Sequence, residues 1–336
     1  MAVNVCQIIL LTKIAKTSKN QQKHMTSSSI RIVTRESPLA LWQANFVRDA
    51  LVDLHPQIQV EVLGITTEAD RLLDISLESL GGKGAFVKEL EQALLTGRAD
   101  IAVHSMKDVT INLPVDLSVP VVLKREDPRD VFVSNRYACF ADLPLGARVG
   151  TSSLRRRCQL MARRPDLRIQ DIRGNVGTRL RKLDEGQFDA LILAAAGLKR
   201  LGLESRVSEY FSIQNLIPAI SQGALGLEIN TNNTAILALI EPLADETTQW
   251  CVTAERALNR RLGGDCHVPI AGHAEIKDSQ LTLNGLVGRL DGSEILQSSC
   301  SGLVGDADSV GDKLGTQLLA MGAGTILREV QGNDVP

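Results

Sequence analysis

The chain has 336 residues, enough for two or three domains, and its 44% hydrophobic and 23% charged content predicts a soluble globular protein. Aromatic residues make up only 3% and the formal net charge is −2, which argues against a nucleic-acid partner bound by base stacking. No apolar run approaches the roughly 20 residues of a membrane helix, so we expect no membrane partner.

The cysteines predict reduced thiols. Six are present, at positions 6, 139, 158, 251, 266 and 300, without a C-x-x-C pair or a metal-type spacing. We therefore expect a cytoplasmic protein with no metal site.

Residues 1–28 contain no acidic residue and no Arg. We interpret 1–28 as a disordered extension with no structural role, with a transit peptide or a true start at Met25 as the alternatives.

The first predicted unit alternates strands and helices. A strand at 30–34 precedes Ser37-Pro38, a helix cap with a first-turn proline. In the helix that follows, an apolar stripe predicts core packing; it consists of Leu39, Trp42, Phe46, Ala50 and Leu54. A strand at 58–65, a long connection at 66–84 and a helix at 86–96 lead to a buried strand at 100–103. The length of the connection favours a functional or mobile loop.

Two further units follow. Residues 131–193 predict a second α/β unit, with strands at 131–134, 148–150, 167–172 and 190–193 and helices from Ser152 and Asn175. A glycine-rich turn at 221–226 precedes helices at 234–243 and 247–261. Alternating strands near 272–301 and a single final helix at about 306–330 suggest a separate small α/β domain.

A basic segment lies within this nearly neutral chain. Residues 148–206 carry fourteen Arg and Lys against six Asp and Glu. Arginines at or beside the helix starts 151–153 and 174–178 oppose the helix dipole, so their position needs another explanation. We expect an anion site for several carboxylates or phosphates; the alternative is a solvated basic face.

Two residues are candidates for chemistry. Asp108 follows the strand at 100–103, at the edge where ligands bind in open α/β sheets. Its alternative role is a turn aspartate that caps backbone N–H groups. Cys266 lies among small residues that leave a thiol accessible, next to His267, which could stabilise a thiolate; the alternative is an ordinary loop cysteine.

The motifs together resemble those of the porphobilinogen deaminase (hydroxymethylbilane synthase) family over residues 30–335. Three of these motifs lie in the first unit: 34–43 (Thr-Arg-Glu-Ser-Pro-Leu-Ala-Leu-Trp-Gln), 81–90 (Gly-Gly-Lys-Gly-Ala-Phe-Val-Lys-Glu-Leu) and 99–108 (Ala-Asp-Ile-Ala-Val-His-Ser-Met-Lys-Asp). The others are 125–130 (Arg-Glu-Asp-Pro-Arg-Asp), 150–156 (Gly-Thr-Ser-Ser-Leu-Arg-Arg), 173–179 (Arg-Gly-Asn-Val-Gly-Thr-Arg), 196–200 (Ala-Gly-Leu-Lys-Arg) and Cys266 with Val-Pro-Ile at 268–270.

The resemblance implies an enzyme that joins four porphobilinogen units head to tail, releasing ammonia each time, to give the linear tetrapyrrole hydroxymethylbilane. It implies a dipyrromethane cofactor held by a thioether to Cys266 and a catalytic Asp108 that stabilises the cation formed when the amine leaves. The other cofactor-binding residues it implies are Lys107, Ser153, Arg155, Arg156, Arg173 and Gly174. The substrate-binding residues it implies are Arg35, Gln43, Lys83, Phe86, Ser105, Arg179 and Arg200.

The implied fold is α/β with three domains: two periplasmic-binding-protein-like domains joined by a hinge and a small α/β third domain. The boundaries would be 29–123 plus 224–242, 124–223, and 243–336 with the cofactor cysteine. We expect a monomer whose partner is porphobilinogen.

The sequence departs from the family pattern at Asp265, Ala69 and Ser221, where the usual residue is glycine, and Asp265 could raise the thiol pKa of Cys266. The competing hypothesis is a catalytically silent anion-binding protein.

Overall fold

The computed structural model describes residues 29–66, 87–264 and 268–332. The expectations for the extension 1–28, for nearly all of the connection 66–84 and for residue 265 therefore lie outside the described residues. Of the described helices, none is long and apolar enough to cross a membrane.

The first sheet has five strands in the order β2-β1-β3-β10-β4. Their bounds are β1 Ser29–Arg35, β2 Gln59–Ile65, β3 Ile101–Ser105, β4 Leu117–Val122 and β10 Leu225–Asn230. β1 pairs in parallel with β2 and β3, whereas β10 runs antiparallel between β3 and β4. Helices α1 Pro38–Leu54, α2 Lys88–Leu95 and α6 Thr234–Ile240 complete this unit. The expected turn at 221–226 thus runs into a central strand, and β4 was not predicted.

Helix α1 begins as predicted but buries another face. Ser37 caps it by accepting from the Ala40 N–H at 3.3 Å, and Pro38 is its first residue. The buried residues are Gln43, Ala44, Val47 and Leu51, so the predicted core stripe was wrong. Trp42 and Phe46 are 37% and 46% exposed, and their rings stack on each other with centroids 5.4 Å apart.

The second sheet repeats this arrangement, in the order β7-β6-β8-β5-β9. Its strands are β5 Asp130–Val133, β6 Arg148–Gly150, β7 Arg168–Gln170, β8 Ala190–Ala194 and β9 Glu209–Tyr210. β6 is parallel to β7 and β8, and β5 runs antiparallel between β8 and β9. The helices are α3 Leu154–Arg163, α4 Val176–Asp184 and α5 Ala195–Arg200. The predicted strands and helices of this unit are present, whereas strand β9 and helix α5 were not predicted.

The chain passes twice between the two sheets, from β4 to β5 and back from β9 to β10. Each passage supplies an antiparallel strand to the sheet that it enters. The segments at 123–129 and 211–224 therefore lie side by side, and Glu126 N–H donates to the Gly223 carbonyl at 3.2 Å.

The third sheet is an antiparallel meander of β11 Ile270–Lys277, β12 Gln280–Gly288 and β13 Ile295–Leu303. Helices α7 Glu246–Arg261, α8 Ala307–Ala320 and α9 Ala323–Val330 pack with it around one apolar core. The single final helix that we predicted is two helices. Gly322 separates them at φ 107°, a left-handed conformation that a helix cannot continue through.

Candidate functional site

Two cavities meet between the three sheets. Cavity 1 has a volume of about 910 Å³ and is lined from all three units, by residues such as Met106, Ser153 and Arg256. Cavity 2, about 570 Å³, lies between the first two units. Both cavities are lined by Lys107, Asp108, Ser152, Arg156, Arg179 and Gln222. These shared residues mark the junction between the two spaces.

Asp108 lies at this junction because β3 ends there. The strand passes into a short 3-10 turn, Met106–Asp108, which carries Lys107 and Asp108 into the cavities. Met106 N–H donates to the Ala224 carbonyl at 3.0 Å, and Gly226 leaves room for the Met106 side chain. The predicted position of Asp108 at a strand end, facing a cavity, is therefore observed.

The segment after Asp108 is held from the third unit. Arg256 of α7 donates to the Val109 carbonyl at 3.2 Å and to the Thr110 carbonyl at 2.7 Å. Sequence reasoning missed Arg256, since neither a motif nor its spacing marks it. The contact ties the turn that carries Asp108 to the helix that leads toward residue 265.

Lys107 is accessible within the cavity yet surrounded by protein. Desolvation by this environment lowers the pKa of its ammonium group, and the nearby Arg155 and Arg156 lower it further, against the opposite effect of Asp108. The amine is therefore easier to deprotonate than that of an ordinary lysine.

Arg155 and Arg156 begin helix α3, as expected, but they are buried, at 4% and 6% exposure. Arg155 Nη1 donates to Asp130 Oδ2 at 2.6 Å and Arg156 Nη2 donates to Asp130 Oδ1 at 2.7 Å. Both arginines line cavity 1, together with Ser153, and Arg156 also lines cavity 2. The interpretation as a solvated basic face is wrong for these two side chains.

Most of the remaining predicted residues line cavity 2; these are Arg35, Gln43, Ser105, Arg173, Gly174, Arg179 and Arg200. Gln43 Nε2 donates to Ser105 Oγ at 2.9 Å. Arg179 Nε donates to the Gly174 carbonyl and Arg200 Nη2 to the Gly223 carbonyl, each at 2.7 Å. Burial lowers the pKa of Arg179 and of Arg200 to about 10, so both remain cationic at neutral pH.

Cys266, Lys83 and Phe86 lie outside the described residues. Gly264 and Val268, the described residues on either side of the 265–267 segment, both line cavity 1. The segment that contains the cysteine is therefore bounded on both sides by walls of the cavity that Asp108 also lines.

A buried pair behind Asp108 was also missed. His104 Nε2 lies 2.8 Å from Glu228 Oε2 across β3 and β10, at 6% and 0% exposure. Glu91, on the wall of cavity 1, has a raised pKa because of desolvation and the nearby Glu228. The position of His104 inside a motif was a usable signal; Glu228 gave none.

No group of three or more His, Cys, Asp or Glu side chains suited to a metal ion occurs in the described part of the chain. The site is instead a pair of connected cavities with cationic walls and a carboxylate at their junction. That arrangement suits a ligand with several carboxylates.

Comparison with known proteins identifies the family. Residues 30–238 match "Porphobilinogen deaminase, dipyromethane cofactor binding domain" and residues 249–320 match "Porphobilinogen deaminase, C-terminal domain". The porphobilinogen deaminase of Thiobacillus denitrificans is 55% identical over 299 residues, which cover 89% of this chain and 98% of that protein.

Similar solved structures include the periplasmic aliphatic sulphonate binding protein of Escherichia coli, with 15% identity, 70% coverage of each chain and a TM-score of 0.39. A periplasmic substrate-binding protein of an ABC transporter from Coxiella burnetii shows 12% identity, covers 66% of this chain and 94% of that one, and has a TM-score of 0.41. These scores are too low to support a structural conclusion. On the two family matches and the identity to the Thiobacillus protein, the chain belongs to the porphobilinogen deaminase family.

Proposed function

We propose that this chain is a hydroxymethylbilane synthase, a transferase of tetrapyrrole biosynthesis. It condenses four porphobilinogen molecules head to tail, releases one ammonia per condensation and yields the linear tetrapyrrole hydroxymethylbilane. The observation that supports this most directly is the place of Asp108 at the junction of two cationic cavities. Cavity 1 is also lined by Gly264 and Val268, the residues on either side of the segment that contains Cys266.

The cofactor would be dipyrromethane, bound through a thioether to Cys266. Cavity 1 suits two pyrrole rings with four carboxylates because its volume is about 910 Å³ and its walls include Lys107, Arg155 and Arg156. When bound, the cofactor supplies the nucleophilic pyrrole carbon to which the first substrate is joined.

Cavity 2 would hold the incoming porphobilinogen. Its acetate and propionate groups meet Arg35, Arg173, Arg179 and Arg200, with Gln43, Ser105 and Gly174 beside them. Lys83 and Phe86 are proposed as further substrate contacts on sequence grounds. Since both ligands carry two or more carboxylates, their charge would stabilise Arg173 and Arg179 beside the second helix start, where the helix dipole opposes them.

Asp108 would act on the reacting atoms. As the aminomethyl group of the substrate loses ammonia, positive charge develops on the pyrrole, and a carboxylate at the junction stabilises that charge. Asp108 also accepts hydrogen bonds from pyrrole N–H groups. After the carbon–carbon bond forms, the α-carbon of the attacking pyrrole loses a proton, for which Asp108 is the proposed acceptor.

The proposed domains are 29–123 plus 224–242, 124–223, and 243–336. They are supported by the three sheets, whose strands fall within these ranges, and by the two crossings between the first two sheets. We also propose that the protein is a cytoplasmic monomer that binds no nucleic acid.

Intact mass spectrometry tests this function against that of a silent anion-binding protein. Purified wild-type protein should carry the mass of a dipyrromethane and release ammonia from porphobilinogen, while Cys266→Ala should carry no adduct. Cys139→Ala is the matched control, a half-buried free thiol on neither cavity, and should keep the adduct. A wild-type protein of bare polypeptide mass that gains nothing from porphobilinogen would refute the enzyme.

A further inference from the structure

One buried carboxylate holds two arginines of the site. Asp130, at 0% exposure, accepts from Arg155 Nη1 at 2.6 Å and Nη2 at 3.1 Å, and from Arg156 Nη2 at 2.7 Å. Gln222 Nε2 also donates to it, at 2.9 Å.

These bonds determine which arginine donors remain for a ligand. Arg155 also donates from Nη1 to the Ile217 carbonyl and from Nη2 to Gln222 Oε1, which uses its terminal N–H groups. Arg156 donates from Nη1 to the Ile192 carbonyl and keeps further N–H groups. The Nε of each has no partner among the described residues. Because both Nε atoms are buried, the free terminal N–H groups of Arg156 are the donors left for a ligand.

The charge of Asp130 also stabilises the arrangement of the two arginines. Two buried guanidinium groups side by side repel each other, and a carboxylate between them relieves the repulsion. Burial alone would raise the pKa of Asp130, but Arg155 and Arg156 outweigh it and hold that pKa well below its usual range. Asp130 therefore stays ionised, and the cluster keeps one net positive charge for an anionic ligand.

The cluster also lies where the two crossings meet. Asp130 begins β5 directly after the first crossing, and Gln222 lies in the second. Gln222 Nε2 bridges them by donating to the Pro128 carbonyl at 2.7 Å as well as to Asp130. The geometry of the arginines is thereby fixed to the segments that connect the first two sheets.

We propose that Asp130 is a positioning residue of this site. Together with Gln222, it holds Arg155 in the wall of cavity 1 and orients Arg156 so that its remaining terminal N–H groups face the carboxylates of the pyrrole ligands. The inference rests on the proposed function. It adds a residue that touches neither cofactor nor substrate and acts through the two arginines.

The test compares Asp130→Asn with Asp189→Asn. Asp130→Asn keeps the volume of the side chain but places an amide N–H₂ against the guanidinium donors of Arg155 and Arg156. Asp189 is the matched control because it pairs with Arg136 and Arg148 in the same unit and lines neither cavity 1 nor cavity 2. Cofactor occupancy by intact mass, KM and kcat for porphobilinogen, and the unfolding midpoint are measured for each variant.

We expect Asp130→Asn to lower cofactor occupancy and to raise KM for porphobilinogen at least about tenfold. The kcat of the fraction that carries the cofactor should stay within about threefold of the wild-type value, because ligand binding is lost equally in the ground and transition states. Asp189→Asn should match wild type in both. Equal KM and occupancy for the two variants would overturn the proposal, as would a loss of kcat with unchanged KM.

One further variant covers the case in which Asp130→Asn does not fold, and a double variant covers the case in which it does. Gln222→Met keeps both arginine–carboxylate pairs and should raise KM by about threefold to tenfold in a folded protein whose unfolding midpoint is lowered by the lost hydrogen bonds; an unchanged KM overturns the proposal. Where Asp130→Asn folds, its effect on KM should shrink in an Arg156→Lys background, since the two residues act together, whereas additive effects contradict it.

The cofactor adduct of the wild-type protein tests the proposed function separately. If wild type carries the adduct and the variants behave alike, the positioning role fails while the function stands. If wild type carries none, both fall.

Discussion

Arg125 and Glu255 form a two-point ion pair that joins the first crossing to helix α7. Arg125 Nη1 donates to Oε1 at 2.8 Å and Nη2 to Oε2 at 2.7 Å. Glu255, at 0% exposure, also accepts from Ser221 N–H at 2.6 Å and from Ala274 N–H at 2.8 Å. One carboxylate therefore links both crossings and the third sheet.

Glu255→Gln should lower the free energy of unfolding by about 3–5 kcal/mol, because it leaves the buried Arg125 without its counter-charge. Urea unfolding measures this. Glu294→Gln, which breaks an exposed pair with Arg289, is the control and should change stability by no more than about 0.5 kcal/mol. Similar losses in the two variants would contradict the role of Glu255 as the link.

Asp108→Asn should reduce kcat at least about a hundredfold, since it removes the negative charge from the place where positive charge develops. Ammonia release from porphobilinogen measures kcat. Asp116→Asn, at an exposed position that lines neither cavity, should retain wild-type turnover. Wild-type turnover in Asp108→Asn would refute the assignment.

Lys107 should be methylated faster than Lys199 under reductive methylation at pH 8.5. The pKa of Lys107 is lowered by desolvation, whereas that of Lys199 is raised by its hydrogen bond to Glu126. A lower pKa gives a larger fraction of neutral, reactive amine at this pH. Peptide mass spectrometry on the cofactor-free Cys266→Ala protein compares the two rates. Faster labelling of Lys199 would show that Lys107 is not desolvated as described.

Ser221→Gly should raise the free energy of unfolding by about 1 kcal/mol. Ser221 has φ 60°, a left-handed conformation that strains a residue with a Cβ. Its buried hydroxyl has no hydrogen-bond partner among the described residues. Thermal unfolding compares it with Ser221→Ala, which removes the hydroxyl but keeps the strain and should gain less. A lower midpoint for Ser221→Gly than for wild type would contradict this account.

Local patterns predicted much of the fold. The cap at Ser37-Pro38, the strand–helix alternation of the second unit and the position of Asp108 at a strand end all depend on residues close in sequence. The buried face of α1 did not follow from its apolar spacing. Apolar residues occur on more than one side of that helix, and only its packing against the sheet selects Ala44, Val47 and Leu51.

The motifs alone also identified the family, the candidate chemistry of Asp108 and Cys266, and the need for an anion site. The tertiary structure alone showed that Arg155 and Arg156 share Asp130 with Gln222, and that Asp108 lies where two cavities meet. These four polar residues come from distant parts of the chain. Their hydrogen bonds form only when β5, helix α3 and the second crossing come together in the folded protein.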